Sequence, residues 1–459
     1  MHIAILTDFT VTTFATGPAF STQTLKRYLE ARGHRVTIVG PTPGRNQPLA
    51  PAGSVLFWSM AFRGHPGMQF PFPWPKQAFS NAPRFDVIHS HANSLAMHWG
   101  PLMRKLHGVP CIATNTIYLP AWAQHVLPDK LYKNEKWRTF WSGLSRTFER
   151  KFANTYNQGD GLIVQCVTLA NYWREVGTLN VPLHVIPRPI DSAMWDRPVG
   201  GDPVRPTFAR GKRLVCACRH AREKDVNKII TAFAEVVLPA HPAASLTLIG
   251  DGQEQVRLRA LVQRLQLGDR VDFTGEKPQR DMRDYYAHTD VFVYASVTET
   301  YGQVVSEALW CGVPVVAIDD NMGVAFQCKS GEDSVLVPKG ADDTRLLGQA
   351  VAALLSDDPR RAQLGTRAAS RARERVPPDV VYAQYEHAYQ VAIDHLKRNP
   401  PPAYTGALGQ KLSLFWNHIW PWIWQHIGVV MLGYARLNDT YALPKEMNLD
   451  KLPSELPGK

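Results

Sequence analysis

The chain reads as an α/β protein with two doubly wound domains in series and an extension of different composition at its end. Three observations predict this. At 459 residues the chain exceeds what one ordinary core organises. Short apolar runs alternate with helical stretches, and they do so in two series. The alternation lapses once, over 194–211, where MWDRPVGGDPVRPTFARG is dense in Pro and Gly and loses periodicity.

The first series opens with the strand MHIAILTDF, a Gly-containing loop, a helix and a second strand, RVTIVG. Leu25, Tyr28 and Leu29 recur at helical spacing, and Gly33 stops the helix. Four more strand-like runs follow in RFDVIHSH, GVPCIATNT, GDGLIVQCV and LHVIP. The second series is KRLVCACR, SLTLIGDG, RVDFTG, DVFVYAS, VPVVAID and SVLVP, closing on a helix near Val380 to Arg398. The expected organisation is therefore an N-terminal domain over 1–193, a linker over 194–211 and a C-terminal domain over 212–375. A helix over 376–398 crosses back, and an extension fills 399–459.

A composition 45% hydrophobic and 20% charged excludes disorder. The formal charge of +11 favours anionic partners, among which composition does not choose. The six cysteines form no CxxC pair and sit in apolar runs, as reduced buried thiols do. Asp8 interrupts the first apolar run too early for a signal sequence, so none is expected.

The most informative segment is TETYGQVVSEALWCGVPVVA, Thr298 to Ala317. It places a loop at the end of strand DVFVYAS and starts a helix near Gln303. Ligands of open α/β sheets bind at the carboxyl ends of strands. The N–H groups of Thr300, Tyr301 and Gly302 then suit a phosphate at a helix N-terminus. Glu307, about one turn into the helix, suits ribose hydroxyls, and Glu299 suits the hydroxyls of a sugar. Two glutamates at this spacing are also what a solvated loop and helix would carry; the preceding strand, the internal Gly and the following GVPVV strand weigh against that. In CRHAREK, Arg219 ends a strand and Lys224 follows five residues later, which suits a diphosphate and equally suits a surface cluster.

Taken together, the Glu-x7-Glu segment, Arg219 with Lys224, LTLIGDGQE and VDFTG resemble the retaining glycosyltransferases of family 4, which have the GT-B fold. The likeness runs over most of residues 1 to 395 and is strongest from Lys212 to Pro338. It implies two Rossmann-like domains facing a cleft. The C-terminal domain binds a nucleotide sugar, commonly UDP-linked, and the N-terminal domain binds the acceptor. It further implies Arg219 and Lys224 on the diphosphate, Glu299 on the donor sugar and Glu307 on the ribose. The loop of Lys277 would lie at the base, and that of Gly17 near the diphosphate and sugar. Retention in the family is explained by front-face attack, in which the leaving diphosphate takes the acceptor proton. The sequence has no Asp-x-Asp motif, and neither an obligatory metal nor another cofactor is expected.

Two departures stand out. Many relatives carry a His where this chain has Asn115 or Thr116, in ATNTIYLPAW. The interdomain strand of relatives usually ends Asn-Gly-Val-Asp; here it is Arg188-Pro189-Ile190-Asp191, and Pro189 excludes the positive φ open to Gly. Asn115 and His91 are the acceptor-side candidates.

Two features point to a lipid acceptor. Over Lys130 to Phe152, Trp137, Phe140, Trp141, Leu144, Phe148 and Phe152 form one stripe, while Lys133, Arg146 and Arg150 fall largely elsewhere. A basic helix with an aromatic face suits an anionic membrane surface, and an aromatic stripe also suits a core. The second is Leu412 to Ala435, which holds no formally charged residue and crowds Trp416, Trp420, Trp422 and Trp424 into its first half. Asn417, His418, Pro421, Gln425 and His426 make it a poor spanning helix, so an interfacial anchor is expected, with packing on the domains as the alternative. NTIYLPAW also loosely resembles the acceptor side of diacylglycerol glycosyltransferases. The expected function is transfer of a sugar from a nucleotide sugar to a lipid at the cytoplasmic face of a membrane, the enzyme being peripheral or monotopic. A soluble sugar or polysaccharide acceptor and a catalytically silent nucleotide-sugar binder are the alternatives. No nucleic-acid module is recognisable, and the sequence does not give an oligomeric state.

Overall fold

The computed structural model describes residues 1–11, 17–44, 47–61, 69–72, 84–92, 95–118, 135, 146, 149–177, 179–208 and 211–401. Two sheets are present, parallel throughout except for one pair at an edge. The first holds β1 (His2–Leu6), β2 (Arg35–Pro41), β3 (Val55–Ala61), β4 (Gln69–Phe72), β5 (Val87–Ser90), β6 (Cys111–Thr114), β7 (Gly161–Val164) and β8 (Leu183–Val185) in the order β4-β3-β2-β1-β5-β6-β7-β8. The second holds β9 (Arg213–Ala217), β10 (Ser245–Ile249), β11 (Val271–Gly275), β12 (Val291–Tyr294), β13 (Val315–Ile318) and β14 (Ser334–Val337) in the order β11-β10-β9-β12-β13-β14. In each, the strand order reverses beside the first strand, between β1 and β5 and between β9 and β12. Those switch points are where open sheets leave crevices.

The strands are short Val/Ile-rich runs because both faces are covered. Ile3 and Ile5 join a core shared with Leu25 and Leu29 of α1 (Gly17–Ala31), whereas Ala4 and Leu6 face Trp99 of α2 (Trp99–His107) and Trp173 of α3 (Val167–Gly177). In the second domain α4 (Val226–Ala232), α5 (Gln255–Arg264), α6 (Met282–Ala287), α7 (Gln303–Trp310), α8 (Gly323–Gln327), α9 (Asp343–Ser356) and α10 (Asp358–Arg375) complete the layers. The twelve strand runs read from the sequence all form strands. β3 and β4 were not anticipated. They pair antiparallel with each other at the sheet's edge, where Pro71 is tolerated in a way a central strand forbids.

The segment 194–211 is not a free connector. Trp195, Val204 and Phe208 are buried, and Asp196 accepts from Trp310 Nε1 and from Arg373, each at 2.9 Å. No residue of Arg188 to Asp191 has positive φ, so the departure at Pro189 is met by extended backbone.

The last described helix, α11 (Pro378–Arg398), follows the second domain but packs on the first. Tyr382 stacks on Tyr28 at 3.9 Å. Glu386 pairs with Arg32 and His34, both at 2.8 Å, and Tyr389 OH meets His89 Nδ1 at 2.8 Å. His395 meets fully buried Asp160 at 3.0 Å. Asp160 also accepts from Arg104 at 2.8 Å and from the Cys111 N–H at 3.0 Å. Removing one partner from such a buried cluster leaves uncompensated charge. Asp160→Ala is expected to lower stability by about 3–5 kcal/mol, read from urea unfolding; a loss under about 1 kcal/mol would show the cluster to be energetically idle.

Candidate active site

Three loops at the carboxyl edge of the second sheet build the site. The loop after β9 carries Arg219 and, in a short 3-10 turn, Lys224. The loop after β12 carries Ser296 to Gly302 and leads into α7. The loop after β11 carries Lys277 and Gln279. The first two flank the switch point and are joined where Ser296 OH donates to the Glu223 carbonyl at 3.2 Å. Gly250, at φ +128°, abuts the Cys218 carbonyl so tightly that any Cβ would collide with it.

Lys224 reaches across and forms an ion pair with Glu299. Glu299 Oε1 also accepts from Tyr294 OH at 2.8 Å and Ser296 OH at 2.7 Å. Burial opposes the charge on Glu299, but Lys224 and these donors outweigh it and hold the carboxyl down to about 2. Lys224 is raised in turn by Glu299 and Glu223 against the opposing effect of burial. Glu299 Oε2 accepts from no described residue and remains available to a ligand. Arg219 pairs with Glu223.

Gly302 is the N-cap of α7, at φ +79°, a conformation that favours glycine. The loop before it is pinned from behind: Gln327 Nε2 donates to the carbonyls of Tyr301, Gly302 and Gly323. The N–H groups of Thr300, Tyr301 and Gly302 donate to no described residue, as a phosphate-binding helix start requires. The Tyr301 ring is fully buried, so this residue offers a ligand its backbone alone.

Glu307 sits on α7, buried, and accepts from Gln279 Nε2 at 2.9 Å and Tyr286 OH at 3.4 Å. Burial pushes its carboxyl up to about 7 in spite of both donors. Lys277 and Gln279 line an interdomain cleft of approximately 720 Å³ together with Thr10, Phe20, Arg27 and Met194. Gly17 opens α1, the helix whose Phe20 and Arg27 line that cleft.

On the first domain, His91 follows β5 and Asn115 follows β6; both are buried. His91 Nδ1 meets Thr22 Oγ1 at 3.1 Å, and burial followed by the Arg188 charge takes the ring down to about 3, so it is neutral. Asn115 Nδ2 donates to Tyr156 OH at 3.1 Å. The domains touch here: Thr300 OH donates to the Thr116 carbonyl at 3.3 Å. His89 is also buried, between Tyr389 and Thr114 at 2.8 and 2.6 Å, which makes it structural.

The structure thus brings Arg219, Lys224, Glu299, Thr300, Tyr301, Gly302 and Glu307 together, with Lys277 on the adjoining loop. Gln279, Tyr294, Ser296 and Gln327 were missed. Tyr294 and Ser296 lie in the DVFVYAS run and were legible as its end, whereas nothing local marks Gln279 or Gln327. Of the membrane candidates, Arg146 and Arg150 are exposed. Trp137, Trp141, Trp416, Trp420, Trp422 and Trp424 lie outside the described residues. Among the described residues no group of acidic, His and Cys side chains is arranged to hold a metal, and no helix is long and apolar enough to cross a membrane.

The chain belongs to the family 4 glycosyltransferases, with the GT-B fold. The family model described as Glycosyltransferase Family 4 matches residues 15–193, and that described as Glycosyl transferases group 1 matches 205–371. An exopolysaccharide phosphotransferase of Streptomyces coelicolor is 34% identical over 42% of this chain, a match that spans 20% of that protein. Alpha-monoglucosyldiacylglycerol synthase of Streptococcus pneumoniae is 26% identical over 69% of this chain and 71% of its own length. In fold, the chain is similar to Anabaena HepE, solved in complex with UDP, with a TM-score of 0.63 at 17% identity over 85% of this chain and 100% of that one.

A raised carboxyl makes stability pH-dependent with a definite sign. Folded Glu307 titrates near 7 against 4.5 for the ordinary group, so its cost is absent at low pH, grows as pH rises through that window and is complete above it. Glu307→Gln removes the cost. Ligand-free melts should show the variant gaining on wild type by on the order of 3 kcal/mol between about pH 5 and pH 8. An offset that stays constant with pH would place Glu307 in a solvated setting.

Proposed function

We propose that this enzyme is a retaining glycosyltransferase that moves a sugar from a nucleotide sugar, of the UDP class, to a lipid acceptor at the cytoplasmic surface of a membrane. The observation that carries the donor half is the loop pair at the second sheet's switch point. Glu299 has one oxygen saturated by Lys224, Tyr294 and Ser296 and the other open, beside Arg219 and a helix start with unused N–H groups. The open oxygen would accept from donor-sugar hydroxyls. Arg219, Lys224 and the N–H groups of Thr300 to Gly302 would take up the charge that develops on the diphosphate. Glu307 would exchange Gln279 or Tyr286 for ribose hydroxyls, and the Lys277 loop would meet the base.

In the reaction the bond from the anomeric carbon to the phosphate oxygen breaks, and the acceptor hydroxyl bonds to the same face of that carbon. Its proton passes to the leaving phosphate oxygen, so the chain need supply no nucleophile. Charge stabilisation falls to fixed cations and dipoles, and no metal or other cofactor is required by this scheme. UDP bound to Anabaena HepE supports the donor class. For the acceptor, the name of the Streptococcus pneumoniae relative and the basic charge of this chain support a lipid in an anionic membrane.

The test is transfer by the purified full chain from a panel of nucleotide sugars, with and without mixed anionic vesicles and with EDTA throughout. The expected result is one UDP-sugar, vesicle-dependent transfer and retained anomeric configuration by NMR. Vesicle-independent transfer would replace the lipid with a soluble acceptor, and neither binding nor turnover would mark a silent binder. In the same assay, Lys224→Ala should lower kcat/KM by roughly 10²–10³ with the fold intact by circular dichroism, as removal of a preorganised charge stabiliser does. A near-wild-type rate would remove Lys224 from the site.

A further inference from the structure

Three adjacent parallel strands of the first sheet, β5, β6 and β7, are each followed directly by a polar residue, His91, Asn115 and Gln165, and Arg188 lies three residues beyond the end of the next strand, β8. Neighbouring strands lie ~4.8 Å apart, and the register staggers these positions, each lying further beyond its strand than the one before, in an oblique row. His91 Nε2, Asn115 Oδ1 and both amide atoms of Gln165 are buried without a hydrogen-bond partner. Buried polar atoms are otherwise almost always paired. The row therefore has the character of a site for a hydroxyl-rich ligand.

Arg188 gives the row its charge. It is 6% exposed, and its guanidinium makes no hydrogen bond or ion pair with any described residue. Arginine cannot shed its proton to escape this, so the buried charge is costly. The groups whose charge bears on it are Glu299, Tyr301 and Tyr385, and it bears in turn on His91. The one carboxylate among them, Glu299, is already balanced by Lys224. Pro187 and Pro189 flank Arg188; each ring fixes its own φ, and Pro189 holds Arg188 extended. The cation is thus preset near Glu299 with no partner among the described residues.

We propose that Arg188 is the receptor for an oxyanion, a carboxylate or phosphate borne by a polyhydroxylated substrate, whose hydroxyls are read by His91, Asn115 and Gln165. Two sources present that chemistry: a uronosyl group on the donor, or the phosphate of an acceptor headgroup. The assignment of substrates rests on the transferase reading above, and a neutral diacylglycerol with a neutral hexosyl donor would leave Arg188 unanswered.

The experiment measures binding to the full chain by calorimetry and thermal shift. UDP is titrated first, which tests the donor reading alone. UDP-glucuronate is then compared with UDP-glucose, and glycerol 3-phosphate with glycerol, the last pair both with and without UDP. One acidic ligand should bind at least about 30-fold tighter than its neutral twin, and the arm in which this occurs names the source. Arg188→Gln should erase that preference while binding UDP as wild type does. Its ligand-free melting temperature should equal or exceed that of wild type, since an unpaired buried charge has gone. No acid preference in either arm, a preference that survives Arg188→Gln, or a variant that melts lower overturns the proposal. Failure of UDP to bind, with glycerol 3-phosphate still preferred, would sink the donor reading and leave the oxyanion site standing.

Discussion

The ion pair between Lys224 and Glu299 joins two loops that leave the second sheet on opposite sides of its switch point. β9 and β12 are hydrogen-bonded neighbours, yet 75 residues separate the two side chains in sequence. The pair exists because a strand order that reverses at β9 sends its two carboxyl-edge loops apart and leaves a gap for one long cation to bridge. Much of the site follows from it. With Oε1 committed to Lys224, Tyr294 and Ser296, Glu299 is held in one orientation, and its other oxygen accepts from no described residue. Such pairs add little net stability; this one positions a group.

The two glutamates of the Glu-x7-Glu segment show how environment divides identical chemistry. Glu307 is buried and Glu299 partly so, and burial acts on each in the same direction. Glu299 has a cation and two hydroxyl donors, which reverse the effect and keep it charged. Glu307 has an amide and a phenol, which do not, and so its carboxyl stands near 7. A ligand hydroxyl donating to Glu307 would draw it toward the charged form. Any such binding and the ionisation of Glu307 would therefore be linked, whereas Glu299 is ionised before any ligand arrives.

What the sequence disclosed follows the same physics. Strands buried on both faces appear as short Val/Ile-rich runs, and all twelve parallel runs were legible. β3 and β4 were not, because an antiparallel pair at an edge needs no such run and admits Pro71. Arg219, Lys224, Glu299 and Glu307 were readable as charged residues at strand and helix boundaries. Their partners were not. Gln327 acts on the loop from 25 or 26 residues away and Gln279 on Glu307 from 28, separations that carry no periodic signal. The Trp-rich extension was legible as composition alone, and it lies outside the described residues.

The first domain enters the site through contacts of a different kind. α11 returns from the second domain and docks by Tyr382 on Tyr28 and by Tyr389 on His89. His89 is two residues before His91, and Tyr385 lies between the two docking tyrosines and faces Arg188. The helix that fixes the position of the two sheets is thus the same element that walls the space around Arg188 and His91. Thr300, within the donor loop, closes that space from the other side by its bond to Thr116. The docking of the two domains and the chemistry beside Arg188 thus meet at one helix: the element that seats Tyr382 on Tyr28 and Tyr389 on His89 also places Tyr385 next to the guanidinium.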